Sequence, residues 1–313
     1  MACSFKELSI HFYDDRARLI QTQSDNYKGG RDTLTSRFDF SGKVLSTYLA
    51  FTNPAATANS NLRIKTAMNY DPMGRLLQVY KTINDQDSTK RLLSQNTYDA
   101  LGQLKQKQLG QLITDGSFLE TQDYSYNIRG WLKGINRDYA NNDNSHNANN
   151  RWFGLELNYD WGFGTNQLNG NIAGAKWRGK GDGEQRAYGF GYDAAGRILF
   201  GDFSQNDGSG YVDNSHVNFD VIMGDGSTPS SAYDENGNIQ SMQQYGLKIS
   251  GSSSIDQLSY HYTAGGLSNK LLNVIDGNND ATTTLGDFRT SANSPNYNNG
   301  GPKSADSADY NYD

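Results

Sequence analysis

The string Tyr70-Asp71-Pro72-Met73-Gly74-Arg75-Leu76-Leu77 recurs along this chain, and its recurrence constrains the fold more than any other feature. Each residue has a local task. Tyr70 suits the end of a strand. The Asp71 carboxylate accepts a hydrogen bond from the backbone two residues on and starts a turn. Pro72 carries the fixed φ that a type I turn takes at its second position. Gly74 supplies a left-handed residue that closes the turn in a bulge, and Arg75-Leu76-Leu77 begins the return strand. The octet reads as the corner of a β-hairpin, and none of its tasks is chemical.

Tyr192-Asp193-Ala194-Ala195-Gly196-Arg197-Ile198-Leu199 is nearly the same string. Tyr98-Asp99-Ala100-Leu101-Gly102 and Tyr233-Asp234-Glu235-Asn236-Gly237 keep the tyrosine, aspartate and glycine, and Phe38-Asp39-Phe40-Ser41-Gly42 exchanges the leading ring. Tyr126-Asn127-Ile128-Arg129-Gly130 has asparagine for aspartate, which can accept the same local hydrogen bond. Tyr13-Asp14-Asp15-Arg16-Ala17 has alanine where glycine is expected, which predicts strain or another turn type. The leading aromatics stand mostly about 25 to 40 residues apart, the spacing of a repeat array.

The Tyr-Asp-x-x-Gly-Arg-Leu string resembles the YD repeat of the Rhs family, shared with the insecticidal toxin-complex C components and the teneurins. The run from Trp177 to Tyr188 leading into Tyr192-Asp193 resembles Rhs-type proteins of Bacteroidetes in particular. So do Asp123-Tyr124-Ser125-Tyr126-Asn127 with Gly130-Trp131-Leu132, and Leu285-Gly286-Asp287-Phe288. The resemblance covers nearly the whole chain. It implies an all-β fold, an array of YD-repeat hairpins in a long, curved, spiralling antiparallel sheet that forms part of a hollow shell. It also implies containment: the shell of a polymorphic toxin holds a C-terminal toxin segment until delivery. In that family a core segment after the repeats closes the shell and can cut the toxin free, and no string here resembles it. The partners implied are the remainder of the parent chain (further repeats, core domain, toxin cargo) and surface glycans, with the parent secreted or at the cell surface. A cell-surface adhesion or carbohydrate-binding YD-repeat module is the alternative, with Trp152, Trp161 and Trp177 as its footing.

Composition agrees with a thin sheet. Hydrophobic residues are 35% of the chain, which argues against a thick core, while aromatics reach 12% with 20 tyrosines. Tyrosine can cover a sheet face while its hydroxyl stays wet. A net charge of −6 leaves no electrostatic footprint for nucleic acid. Cys3, the single cysteine, excludes an internal disulfide framework. No apolar stretch is long enough to span a bilayer as a helix.

Residues 1–313 read as one array, a piece of a longer protein: Tyr310-Asn311-Tyr312-Asp313 opens another corner without its glycine. Unpaired edges at both ends predict self-association. Residues 5–51 read as two hairpins turned at Lys28-Gly29-Gly30, residues 62–109 hold two good copies, and a short helix before Lys90 is allowed but not required. Ile255–Tyr262 is an alternating strand with Lys270–Ile275 as its partner. The asparagine-rich run 140–150 reads as a surface loop, residues 169–183 as a wide glycine-rich loop, and 289–309 as loop-rich. The segments 201–210, 224–231 and 251–254 read as turn-rich.

The candidate chemistries are weak. Gly174-Ala175-Lys176-Trp177-Arg178-Gly179-Lys180-Gly181 mimics a phosphate loop but lacks its Ser or Thr and a following helix. His11, His146, His216 and His261 are scattered, without metal-ligand spacing. Asp276-Gly277-Asn278-Asn279-Asp280 offers oxygen ligands but lacks the glycine and glutamate of a calcium loop. Glu156 and Asp160 share a strand face but stand roughly 13 Å apart, beyond either glycosidase geometry. The reading is therefore non-catalytic, with no metal and no cofactor.

Overall fold

The computed structural model describes residues 8–58, 60–142, 151–213, 217–248, 251–278, 288 and 305–312. Cys3, His146, His216, Asn279, Asp280, Leu285-Gly286-Asp287, most of the asparagine-rich run and residues 289–304 lie outside them. The fold is all-β and antiparallel, with nineteen strands among the described residues. The chain divides into two compact units, Met1–Trp131 with Asn147–Trp152, and Leu132–His146 with Phe153–Asp313.

The first unit is a meander of β1 (Ser9–Tyr13), β2 (Leu19–Asp25), β3 (Arg31–Phe38), β4 (Val44–Thr52), β5 (Asn61–Tyr70), β6 (Leu76–Ile83), β7 (Arg91–Tyr98), β8 (Leu104–Gln111) and β9 (Phe118–Tyr126). Each strand pairs antiparallel with its sequence neighbour. A 3-10 turn, Asp87–Thr89, stands where the sequence allowed a short helix before β7. Leu92 is the unit's one buried hydrophobic residue among those described. Part of its lateral cohesion is polar. The Asn69 amide donates to Gln78 Oε1 at 3.3 Å, Gln78 to Gln95 at 2.9 Å, and Gln95 to Gln108 at 3.4 Å. These residues stand opposite one another across β5 to β8, so the Gln78 and Gln95 amides each donate one way and accept from the other. Such a row adds to the backbone ladders without any exclusion of water.

The second unit contains β10 (Leu132–Ile135), a helical turn α1 (Arg137–Ala140), β11 (Phe153–Asn158), β12 (Gly174–Gly179), β13 (Gln185–Tyr192), β14 (Ile198–Asn206), β15 (Tyr211–Val212) and β16 (Val221–Met223). A second helical turn α2 (Pro229–Ala232) follows, then β17 (Ser241–Lys248), β18 (Gly251–Tyr262) and β19 (Leu271–Asp276). β10 to β14 pair in sequence order, β14 also takes β15 and β16, and β16 to β19 complete the ladder. Here a small core exists: Leu199, Met223, Ala232 and Tyr233 are buried, with Val221, Ile239 and Met242 packed on them.

Three segments read from sequence as loops carry strand. β12 lies inside the glycine-rich run 169–183, β14 runs through 201–206, and β18 begins at Gly251. The glycines of the first two are sites of close approach. A Cβ on Gly174 would overlap the Phe163 ring, and one on Gly201 would press the Phe190 ring at 3.4 Å. In 251–254 the serines pair with Tyr245 to Leu247 of β17 and Gly251 with Lys248, so register with a long partner overrides their weak strand preference.

Candidate functional site

Seven corners share one hydrogen-bonded clasp. At the Asp71 corner the Gly74 N–H donates to the Asp71 carbonyl at 2.9 Å, and the Asp71 N–H donates to the Arg75 carbonyl at 2.9 Å. The Asp71 carboxylate receives the Arg75 N–H at 2.8 Å on Oδ1 and the Arg75 Nε at 2.6 Å on Oδ2. The backbone bonds repeat at Asp14, Asp39, Asp99, Asn127, Asp193 and Asp234. Gly42, Gly74, Gly102, Gly130, Gly196 and Gly237 are all left-handed, with φ between 78° and 92°. Ala17 adopts φ 57° with the same bonds, so the first corner keeps the turn type and takes the strain. Asn26 closes an eighth turn the same way, with Gly29 at φ 76° and no leading aromatic.

The leading aromatics sit at register shifts: Phe38 pairs with Val44, Tyr70 with Leu76, Tyr98 with Leu104, Tyr192 with Ile198. Their hydroxyls do something that sequence reasoning missed. Tyr70 donates to the Val44 carbonyl at 2.8 Å, Tyr98 to Leu76 at 2.8 Å, and Tyr126 to Leu104 at 3.0 Å. In the second unit Tyr233 donates to Ile198 at 2.6 Å, and Tyr262 to Ile239 at 2.9 Å. Each acceptor stands two residues after the glycine of the preceding corner, so each of these tyrosines ties its hairpin to the one before. Tyr159, outside the corners read from sequence, and Tyr312, in the incomplete corner at the end of the chain, make the same bond to Leu132 and Leu271 at 2.9 and 3.0 Å. The available signal was the preference for tyrosine over phenylalanine at this position, with Phe38 the exception.

The corner arginines complete the tie. Arg75 lies over the Tyr98 ring at 4.6 Å, Arg197 over Tyr233 at 4.6 Å, and Arg18 over Phe38 at 5.1 Å. Each also pairs with its own aspartate at 2.6 Å. The backbone N–H of Arg75, followed by its side chain, holds the Asp71 carboxyl below the usual carboxylate range. The Arg18 backbone does the same for Asp14 and the Lys43 backbone for Asp39. Burial pushes Asp193 up, but the backbone and side-chain bonds from Arg197 outweigh it and the net shift is down. With both oxygens engaged and the acid form disfavoured, these carboxylates are poor proton donors at neutral pH.

The other candidates disperse. Glu156 is buried and held by Arg137 and by Asn141 Nδ2 at 3.0 Å, while Asp160 is exposed on the following loop. The phosphate-loop mimic is strand β12. The Asp276 carboxylate accepts from the backbone of Gln257 and Asn278 at 2.8 and 2.9 Å. His261 Nδ1 is 2.9 Å from Asn273 Oδ1, and exposed His11 is 3.2 Å from Thr22 Oγ1. No cluster of three or more His, Cys, Asp or Glu able to hold a metal occurs among the described residues. Trp177 stacks on Tyr188 at 5.5 Å and leans on Phe203 at 6.1 Å, within an aromatic row over β12 to β14. Trp152 belongs to the first unit, where its Nε1 donates to the Leu119 carbonyl at 2.9 Å beside Arg151, which grips Asp123. Trp161 is exposed.

No family model and no curated protein matches the chain. Among solved structures it is similar to the Photorhabdus luminescens Tc holotoxin pore, at 12% identity and TM-score 0.30, over 88% of this chain. The matched part is 18% of the holotoxin chain's length. It is also similar to a porin-like protein from Bacteroides uniformis, at 11% identity and TM-score 0.29, over 79% of this chain and 92% of that one.

Proposed function

We propose that this chain is a non-catalytic wall segment of an Rhs-type YD-repeat protein, one that lines a β-shell enclosing a C-terminal toxin for delivery. The observation that supports it most is the run of tyrosine ties: polar side chains conspicuous by sequence are spent joining each hairpin to its predecessor. The corner aspartates are consumed the same way, closing turns. A wall needs lateral continuity, and these residues supply it. The partners of such a segment are the rest of its parent chain and the cargo.

The test is to express the full open reading frame that encodes this chain and image it by electron microscopy, with limited proteolysis alongside. A hollow particle whose C-terminal segment resists protease is expected. An open sheet with a freely digested C-terminal segment would overturn the reading. Exposed Trp161 beside Asp160 favours the adhesion alternative. Saturable binding on a glycan array, lost in Trp161→Ala, would select it.

A further inference from the structure

Across an ordinary corner, the residue before the leading aromatic pairs with the residue four places after the glycine. Asn69 pairs so with Gln78, Thr97 with Gln106, and Gly191 with Phe200. Asn158 and Gly174, a pair of the β11–β12 hairpin, stand in that same relation to Tyr159 and Gly170. Tyr159 makes the backward tie of a leading ring, to the Leu132 carbonyl two residues after Gly130. Tyr192 makes the next tie, at 2.8 Å, to the Ile172 carbonyl two residues after Gly170. Gly170 is left-handed at φ 104°, and Asn169-Gly170-Asn171-Ile172 repeats Asn236-Gly237-Asn238-Ile239 of the Asp234 corner. Tyr159-Asp160 and Asn169-Gly170-Asn171-Ile172 are thus the two halves of one interrupted corner. Nine residues separate its aspartate from its glycine, against two in the others, and removing 161–167 would restore the ordinary spacing.

The interruption releases the aspartate. In the Asp193 corner the N–H groups two and four places on, those of Ala195 and Arg197, clasp the carboxylate at 2.9 and 2.8 Å. In the interrupted corner the N–H that corresponds to that of Arg197 belongs to Asn171, and it donates to Asn169 Oδ1 at 3.0 Å instead. Asp160 is exposed. The inserted residues are Trp161-Gly162-Phe163-Gly164-Thr165-Asn166-Gln167. Phe163 anchors them, its ring filling the space over Gly174 and reaching to 3.4 Å from where a Gly189 Cβ would stand. Trp161, next to Asp160, stays 44% exposed. An exposed indole in one loop with a carboxylate, amides and a hydroxyl is chemistry suited to a sugar. The indole offers a broad, rigid apolar face to the C–H groups of the ring, and the polar side chains bond its hydroxyls.

We infer that residues 161–167 are a recognition insert in an interrupted corner, separable from the sheet, and that Trp161 with the released Asp160 binds a ring of a neutral glycan. The register and both ties run across the corner as they do across the others, so the sheet can carry the insert without depending on it. The ligand rests on the carbohydrate-binding alternative; the interrupted corner rests on register and ties alone.

The experiment has a folding arm and a binding arm. Asp193→Ala should lower the melting temperature, because it opens a clasp, and Asp160→Ala should leave it unchanged; equal losses would overturn the insert. Excision of residues 161–167 should leave a folded chain. Its unfolding, with Phe163→Ala still folded, would make the segment part of the sheet and overturn the insert as well. Should both of those variants fail to fold, the aspartate comparison decides alone. For binding, cellohexaose, chitohexaose and mannohexaose are titrated into the purified chain, followed by NMR of the tryptophan indole N–H groups. At least one should bind saturably, about tenfold more weakly to Asp160→Ala and not at all to Trp161→Ala. Binding of none would overturn the ligand and the carbohydrate-binding alternative together. Binding that survives Trp161→Ala would overturn the ligand site and leave that alternative standing.

Discussion

The Tyr98 hydroxyl donates to the Leu76 carbonyl at 2.8 Å, twenty-two residues back, while Arg75 from that same earlier corner covers the Tyr98 ring at 4.6 Å. One residue is thus held at its tip and on its face by the hairpin before it. Tyr98→Phe removes only the tip contact. It should cost about 0.5–1.5 kcal/mol, the net value of one hydrogen bond. Tyr27→Phe, at a ring that is 77% exposed, should leave the melting temperature unchanged.

Gly74 and Ala17 occupy equivalent places at φ 83° and 57°. Gly74→Val should destabilise by about 1–3 kcal/mol, because a β-branched side chain resists that conformation. Ala17→Gly should do the reverse and stabilise by up to about 1 kcal/mol. Lys90→Ala, at an exposed site, should stay within about 0.5 kcal/mol. Denaturant midpoints of the three variants check the set.

The depressed carboxyls of Asp14, Asp39 and Asp71 make stability pH-dependent. A carboxylate with a lowered folded-state pKa contributes its full stabilisation above the unfolded value of about 3.9 and loses it as pH falls through the folded value. Acid unfolding should therefore begin below about pH 4. Asp71→Asn should lower stability at pH 7 yet converge on the unmodified chain near pH 2, because asparagine keeps the Oδ1 contact but not the ion pair. Urea titrations at the two pH values measure the difference.

The β1 strand has exposed Ile10, Phe12 and Tyr13 and no partner on its outer side among the described residues. β19 is different: the N–H groups of Asp309 and Tyr310 donate to its Leu272 carbonyl at 2.9 and 3.3 Å. Self-association should run through β1. Ile10→Lys should reduce it, since an edge lysine discourages strand addition. Light scattering after size exclusion would show a smaller mean mass, and an unchanged mass would locate the contact elsewhere.

The corners were legible because everything that makes one lies within six residues: the aspartate, its turn and the left-handed glycine. The strand pair Ile255–Tyr262 and Lys270–Ile275 was legible for the same reason, through simple alternation. What escaped depends on distant partners. Gly174 reads as loop until Phe163 is seen lying on it. Glu156 and Asp160 already read as too far apart to act together, but nothing in the sequence says that Arg137 and Asn141 hold Glu156 buried. The tyrosine hydroxyls point at carbonyls in another hairpin, and a carbonyl leaves no mark in a sequence. Trp177, read as a footing for sugars, turned out to be stacked on Tyr188 by a register that only the folded β12 and β13 define.

The first unit's near lack of buried apolar side chains has a mechanical consequence. With little common core to break at once, a pull on its last hairpin loads the Tyr126 hydroxyl first, and Tyr98 and Tyr70 only after it has let go. Such a sheet should peel in sequence, at a low and nearly constant force, and re-zip in the opposite order when the load is removed.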